Sequence, residues 1–188
     1  MTHPAPTSRA AGLLPQPGHI FENKYRIVGL IGSGGFAQVY HAQNDDVERS
    51  VAIKILTPHE DPDLGSQLYP QEIDARFLRE AKMISDLRDP RTITMYDFGR
   101  ARDTGLLYMV FEFIDGTPLH EVVYRQGRIE PAIVVRILIQ VLQSLREAHA
   151  HGILHRDIKP ANIMLYEYLG DPTHVKLLDF GIAKPLVT

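Results

Sequence analysis

The sequence predicts an α+β fold, in which a strand-rich first half is followed by a helical second half. Three short segments rich in β-branched and aromatic residues, at 25–31, 37–43 and 50–56, have the composition of strands. Apolar residues then recur three and four positions apart at 71–87. The longest such stripe begins at Pro131, a residue favoured in the first turn of a helix. This order indicates two small lobes.

The remaining elements are predicted from turn residues and from changes in the spacing of apolar residues. Two further strands are expected at 92–98 and 106–114, on either side of a turn that contains Gly105. A short helix is expected at 119–124, and the long helix should end near His149.

These elements divide the chain into three parts. Residues 1–19 carry prolines at positions 4, 6, 15 and 17, and we expect them to form a disordered arm. Residues 20–115 should form the strand-rich lobe, and residues 116–188 the helical lobe.

Composition and charge exclude several classes of protein. The chain carries 20 Lys and Arg against 23 Asp and Glu, a net charge of −3, so no overall basic field is available for nucleic acid or an anionic membrane. It contains no cysteine, which excludes disulfides, thiol catalysis and cysteine-based zinc sites. No apolar run reaches the roughly 18 residues needed to cross a bilayer, and the N-terminus lacks a signal-peptide pattern. We therefore expect a soluble, cytoplasmic protein that has no nucleic-acid partner and no membrane segment.

A glycine-rich segment, Gly32-Ser33-Gly34-Gly35-Phe36-Ala37, lies between the first two predicted strands. Glycines let the backbone approach a ligand closely and point N–H groups at phosphate oxygens. Taken alone, the segment is equally well explained as a structural hairpin turn. A dinucleotide-binding motif requires a helix directly after the glycines, and here a strand follows.

Charged residues near other predicted elements complete the candidate chemistry. Lys54 ends the apolar strand Val51-Ala52-Ile53, and Glu80 lies on the helix that follows. Each taken singly fits a solvated surface charge, but an ion pair between them would hold the ammonium where it could reach phosphates. In the second half, His155-Arg156-Asp157-Ile158-Lys159-Pro160-Ala161-Asn162 offers an acceptor for a hydroxyl proton, a cation and an oxygen ligand for Mg²⁺. Asp179-Phe180-Gly181 ends an apolar strand, where a plain turn is the alternative.

Together these motifs resemble those of the eukaryotic-like (Hanks-type) serine/threonine protein kinases, over residues 25–186. The resemblance implies a bilobal kinase fold with a complete N-lobe, an antiparallel five-stranded sheet plus one helix. It implies only a partial helical C-lobe, because the chain ends seven residues after Gly181. We therefore expect the long helix to lack part of its apolar cover around Ile137 and Val141. The amino-acid sequence of the later motifs is typical of bacterial members of this family.

The resemblance implies a role for each charged residue. Lys54 pairs with the α- and β-phosphates of ATP while bonded to Glu80, and Asp157 accepts or orients the substrate hydroxyl. Lys159 is typical of kinases acting on Ser and Thr and stabilises the transferring phosphoryl group. The implied metal ligands, for Mg²⁺ or Mn²⁺, are Asn162 and Asp179.

The resemblance also implies an adenine site. Phe111 corresponds to the gatekeeper, and the backbone of Glu112, Phe113 and Ile114 to the hinge that contacts adenine. The further implied ATP-binding residues are Ile31, Gly32, Ser33, Gly34, Gly35, Phe36, Ala37, Val39, Ala52 and Met164. A stacked apolar spine is implied for Ile84, Tyr96, His155 and Phe180. We expect the apolar members of both groups to be buried.

Arg156 carries an implication for regulation. In the family this arginine meets a phosphorylated residue of the activation loop, so loop phosphorylation would switch activity. Thr188 is the one hydroxyl residue after Gly181 in this sequence.

The implied function is transfer of the γ-phosphoryl group of ATP to Ser and Thr hydroxyls of protein substrates. One alternative is a catalytically impaired, nucleotide-binding fragment or pseudokinase with a regulatory role. Another is a small-molecule kinase of similar fold, which the pattern at Arg156 and Lys159 disfavours. Bacterial relatives also suggest a dimer formed through the strand-rich lobe.

Overall fold

A computed structural model of the chain describes residues 14–35, 37–57 and 70–180. These residues form two compact units. The first contains the described residues up to Ala75 together with Tyr96–Phe113, and the second contains Arg76–Met95 together with the described residues from Ile114 onward. None of the helices in these ranges is long and apolar enough to span a membrane.

The first unit is built on a six-stranded sheet with the strand order β1-β2-β3-β4-β6-β5. Antiparallel pairing joins β1 to β2, β2 to β3, β3 to β4 and β4 to β6. The predicted five strands are confirmed, and a two-residue strand precedes them. The strands are β1 (Ile20–Phe21), β2 (Tyr25–Ser33), β3 (Ala37–Asn44), β4 (Arg49–Leu56), β5 (Met95–Arg100) and β6 (Leu107–Glu112).

Successive side chains along each strand point to opposite faces, so this sheet has one face in the core and one open face. On β4, Val51, Ile53 and Ile55 are at most 1% exposed, whereas Ala52 and Lys54 on the other face are half-buried. β-branched side chains at every second position therefore build the core, and the residues between them are left for other contacts.

Residues 14–19, which the sequence assigns to the N-terminal arm, pack on this sheet. Leu14 lies in the same buried cluster as Ile27. The Gly18 N–H donates to the Ile27 carbonyl at 2.8 Å, and the Ile27 N–H donates to the His19 carbonyl at 2.9 Å. Residues 1–13 lie outside the described residues.

The second unit combines helices with a three-stranded sheet of order β7-β8-β9. Its longest helix begins at Pro131, as the sequence predicts. The strands are β7 (Gly116–Pro118), β8 (Ile163–Tyr168) and β9 (Asp171–Leu177). The helices are α1 (Pro70–Ser85, which begins in the first unit), α2 (Leu119–Gln126), α3 (Pro131–Ala150) and a short 3-10 turn at Pro160–Asn162.

The buried face of α3 corrects one expectation. Ile137 and Val141 are 1% and 3% exposed, on the side of the helix that packs on β9, so the expectation that they lack cover is wrong. The exposed apolar side chains of α3 lie on another face and include Val135, Leu138 and Leu142.

Polar side chains of α3 hold the segment that follows α1. The Glu147 carboxylate accepts the backbone N–H groups of Arg88 at 2.8 Å and Asp89 at 2.7 Å. Deeper in the unit, the hydroxyls of Ser144 and Thr92 are 2.7 Å apart and buried. The segment is thereby fixed to α3 at both ends.

The expected burial of Tyr96 is wrong. Its side chain is 43% exposed and lies under the Arg49 guanidinium, 4.9 Å from the ring centroid. The neighbouring Met95 is 7% exposed. Because successive side chains of a strand point to opposite faces, the buried side of β5 here carries Met95, and Tyr96 lies on the other face.

Replacing Gly116 tests the pairing of β7 with β8. A Cβ at this position would lie 2.5 Å from the Leu165 carbonyl oxygen and 3.0 Å from the Met164 Cγ. Since backbone cannot yield as a side-chain tip can, Gly116→Ala should lower the free energy of unfolding by about 1–3 kcal/mol in urea denaturation. Gly29→Ala is the matched control, because a Cβ there meets no atom within 4 Å; equal losses in both variants would contradict the steric explanation.

Candidate active site

The predicted site residues are divided between the two units. In the first unit, strand register brings Val39 opposite Lys54 and His41 opposite Ala52. All four are half-buried on the open face of the sheet. The sheet therefore groups the predicted lysine with Val39 and Ala52, two of the predicted adenine contacts.

The glycine-rich turn is open to solvent. Gly34 donates its N–H to the Ala37 carbonyl at 2.9 Å, which closes the turn. A Cβ built at Gly35 would meet no atom within 4 Å, so packing within this unit does not explain the glycine. Close approach of a phosphate to the backbone is the explanation that the resemblance supplies. Ser33 is exposed and Gly32 half-buried, and Phe36 lies outside the described residues.

Ile31 departs from the expected burial. It is 53% exposed, because it lies near the end of β2, where the strand enters the exposed turn. Ala37, across the turn, is buried at 8%.

The hinge segment ends the first unit. Phe111 is buried and lies opposite Ala52 in the sheet, and Glu112 lies opposite Val51. The Phe113 ring stacks on the His41 ring, with centroids 4.2 Å apart and planes 24° apart. Ile114 begins the second unit and is half-buried.

Sequence reasoning missed His41. Its Nε2 lies 3.1 Å from the Ser50 hydroxyl, which donates to the Gln43 side-chain oxygen at 3.1 Å. The Ser50 hydroxyl proton is therefore donated to Gln43, so the His41 Nε2–H must donate to the Ser50 oxygen. The signal in the sequence is its position two residues after Val39, which places both side chains on one face of β3.

The second unit holds the predicted catalytic loop. The Lys159 Nζ lies 2.9 Å from the Asp157 Oδ2. The Asn162 side-chain amide donates to the same Oδ2 at 3.0 Å and to the Asp157 carbonyl at 2.8 Å. The loop thus brings the predicted base, the predicted phosphoryl-binding lysine and one predicted metal ligand together.

Backbone hydrogen bonds join this loop to the residue before Asp179. The Leu178 N–H donates to the Asn162 carbonyl at 2.8 Å. The Leu178 carbonyl accepts from the His155 Nε2, 2.7 Å away. Asp179 follows with a φ of 53°, a left-handed conformation that is uncommon for residues other than glycine. The backbone that leads to the second predicted metal ligand is therefore bonded to the first.

The donor set of Asn162 and Asp179 fits Mg²⁺. Because the Asn162 nitrogen donates to Asp157, its side-chain oxygen is the atom suited to a cation. Within residues 14–35, 37–57 and 70–180, no group of three or more His, Asp or Glu side chains could hold a metal ion. A metal held here would complete its coordination with phosphate oxygens and water, as Mg²⁺ commonly does in phosphoryl-transfer sites.

Glu80 and Arg156 meet within the second unit. The Arg156 Nη1 lies 3.9 Å from the Glu80 Oε1, and Arg156 has a φ of 59°. Lys54 belongs to the first unit, so its pairing with Glu80 stays a prediction. Met164, on β8, is half-buried.

His155 and Phe180 are buried, as expected for the spine, and so is Ile84. The His155 and Phe180 ring centroids are 4.6 Å apart. The His155 Nε2 donates to Leu178, and its Nδ1 accepts the Asp157 N–H at 3.3 Å, so the neutral ring satisfies both contacts. Burial disfavours the charged ring and lowers the pKa of His155.

Comparisons with known proteins agree with this geometry. The structure is similar to the crystal structure of the Mycobacterium tuberculosis PknI kinase domain, with a TM-score of 0.72 and 27% identity over 90% of this chain and 62% of that one. It is also similar to Rad53 1–466 in complex with AMP-PNP, with a TM-score of 0.69 and 30% identity over 85% of this chain and 38% of that one. The fold is therefore that of protein kinases.

The family follows from sequence as well. The profile of the protein kinase domain matches residues 25–188, and the chain belongs to that family. It is 41% identical over 161 residues to the serine/threonine-protein kinase pkn3 of Myxococcus xanthus, covering 86% of this chain and 28% of the relative. It is 36% identical over 169 residues to PrkC of Bacillus subtilis, covering 90% of this chain and 24% of the relative. The chain thus spans about a quarter of the length of these relatives, and the resemblance to bacterial Hanks-type kinases is confirmed.

The environment of His155 predicts an acid-sensitive fold. The folded pKa lies below the unfolded value of about 6.5, so the unfolded chain binds more protons as the pH falls below that value and stability decreases. In His155→Gln, the pH dependence of the unfolding free energy between about pH 7 and 5.5 should become shallower, by at most about 1.4 kcal/mol per pH unit.

Urea denaturation at a series of pH values measures this slope. His149→Gln, at an exposed position of α3, serves as the control and should keep the slope of the unchanged chain. The explanation fails if His155→Gln keeps that slope as well.

Proposed function

We propose that this protein transfers the γ-phosphoryl group of ATP to Ser and Thr hydroxyls of protein substrates. The observation that carries the proposal is the arrangement of Asp157, Lys159 and Asn162 beside the backbone that leads to Asp179. Membership of the protein kinase domain family supports it, as does the similarity to relatives named serine/threonine-protein kinases.

The arrangement suits phosphoryl transfer because that reaction depends on positioning and charge. Lys159 and Asn162 both contact the Asp157 Oδ2, which fixes the carboxylate that would orient a substrate hydroxyl and take its proton. Lys159 would also stabilise negative charge on the transferring group. When bound, ATP·Mg²⁺ supplies the phosphoryl group and the metal charge.

Other residues would bind the nucleotide. Lys54 would hold the α- and β-phosphates, Asn162 and Asp179 would hold Mg²⁺ or Mn²⁺, and the hinge backbone at 112–114 would contact adenine. Regulation through contact of Arg156 with a phosphorylated residue of the activation loop stays a prediction. Thr188 lies outside the described residues. The cytoplasmic location and the dimer are likewise predictions.

A second candidate function is that of a nucleotide-binding regulatory fragment. The chain covers 62% of the similar PknI kinase-domain structure. Such a fragment would bind ATP·Mg²⁺ without transferring phosphate.

Replacing Asp157 separates these functions. The chain is incubated with radiolabelled ATP, Mg²⁺ and a generic basic protein, and nucleotide binding is measured in parallel by calorimetry. Asp157→Asn keeps the size of the side chain and removes the base, so labelling should fall by about 10²–10⁴-fold while nucleotide binding is retained.

Asp86→Asn, an exposed carboxylate at the end of α1, is the control and should label normally. Labelling by Asp157→Asn at the normal rate would overturn the role of Asp157. Nucleotide binding without labelling in any form of the chain would favour the regulatory fragment.

A further inference from the structure

The second unit contains a groove that the residues assigned to catalysis do not line. It has a volume of about 610 Å³ and runs between α3 and the hairpin of β8 and β9. Its walls include Arg136 and Ile139 on α3 and Tyr166, His174 and Lys176 on the hairpin. This hairpin groove is large enough for several side chains of a bound segment.

The groove is firmly built. The Gln140 side chain lies along β9 as a strand would, because its nitrogen donates to the Thr173 carbonyl at 2.8 Å and its oxygen accepts the Val175 N–H at 3.1 Å. The two walls are therefore joined by a side chain that satisfies backbone groups of the hairpin. A surface of this kind loses little conformational freedom on binding.

One wall is aromatic. The His174 ring lies 5.9 Å from the Tyr166 ring centroid and 5.3 Å from that of Tyr168. Tyrosines combine a large apolar area with a polar tip and are enriched in protein interfaces. This wall suits an apolar or aromatic side chain of a partner.

Cations from three different segments also line the groove. They are Arg91 after α1, Arg136 on α3 and Lys176 on β9, with Asp171 as the single lining carboxylate. Lys176 is 8% exposed, so salt screens its charge less than that of a surface lysine. The chain as a whole carries a net charge of −3, whereas the charged side chains that line the groove sum to a positive charge.

The ion pairs already present leave room for a partner. Asp89 holds the Arg91 guanidinium at 3.0 Å, which fixes its position. Arg136 and Asp171 are 3.5 Å apart, with side chains 62% and 38% exposed. Such surface pairs contribute little to stability, so a carboxylate of a bound segment can replace Asp171 on Arg136 at small cost.

We propose that the hairpin groove is a docking site for an acidic segment of a protein partner. Arg136 and Arg91 contact its carboxylates, and the Tyr166 and Tyr168 wall contacts an apolar or aromatic side chain beside them. The site is separate from phosphoryl transfer, so it stands whether or not the chain is an active kinase.

Fluorescence anisotropy tests the proposal with the whole chain and a short fluorescein-labelled peptide of glutamates around one tyrosine. Binding should weaken as salt is raised, and it should weaken about tenfold in Arg136→Glu, which loses an attraction and gains a repulsion. Arg128→Glu makes the same change of charge at an exposed position before α3, and it should bind as the unchanged chain does.

A variant that is expected to bind the peptide more tightly distinguishes loss of the proposed contact from misfolding. Asp171→Asn keeps the Oδ1 that accepts from Thr173 but removes the charge that competes for Arg136. Peptide binding should therefore tighten by roughly twofold to fivefold. A damaged fold would weaken it.

Four results would overturn the proposal. The first is no binding of the glutamate peptide, and the second is equal loss of binding in Arg136→Glu and Arg128→Glu. The third is equal binding of a peptide in which lysines replace the glutamates. The fourth is complete displacement of the peptide by low concentrations of inorganic phosphate, which would assign the groove to a small anion.

Discussion

The candidate site depends on the backbone of Leu178, which is bound on both sides by the predicted catalytic loop. Its N–H donates to Asn162, and its carbonyl accepts from His155. These two bonds fix the end of β9 against a loop whose one regular element is the 3-10 turn at Pro160–Asn162. Asp179 follows directly, so the backbone that leads to it is bonded to Asn162. Buried hydrogen bonds of this kind are costly to leave unmade, so the loop and the strand end hold each other in place.

The helix α3 supplies the rigid support for this arrangement, and polar side chains do much of that work. Glu147 binds the backbone after α1, Ser144 contacts Thr92 inside the unit, and Gln140 binds the edge of β9. Each of them satisfies polar groups that an apolar helix face would leave without partners. The apolar residues Ile137 and Val141 bury the face between them. The helix thereby fixes β9 and, through β9, the position of Leu178.

The sequence predicted the elements well because their signals are local. Proline at the start of α3 and the β-branched composition of β4 are signals of neighbouring residues only, and the helix and the strand that they predict are confirmed. The error in burial arose on a strand, where neighbouring residues lie on opposite faces. Assigning the buried position to the wrong one of two neighbours therefore exchanges the core side and the open side. Tyr96 and Met95 are the case in point. The stack of His41 on Phe113 could not be predicted, because it depends on the register between strands far apart in sequence. The site motifs were found because their residue types and order are distinctive, whereas the Arg156 contact with Glu80 required the packed structure.

Three residues of the second unit, Arg156, Leu169 and Asp179, adopt a left-handed backbone without being glycine. Arg156 and Asp179 have φ values of 59° and 53°, and each such conformation costs on the order of 1–3 kcal/mol. A sequence selected for stability alone would place glycine at these positions. Glycine, however, carries neither a guanidinium nor a carboxylate. Bonds to neighbouring segments support both turns: the Arg156 side chain contacts Glu80, and the backbone of Leu178, before Asp179, is bonded to His155 and Asn162. Leu169 has the same conformation in the turn between β8 and β9, so a left-handed backbone alone does not mark a chemical role. At Arg156, which adjoins the predicted base, and at Asp179, a predicted metal ligand, the conformation accords with the roles that the resemblance implies.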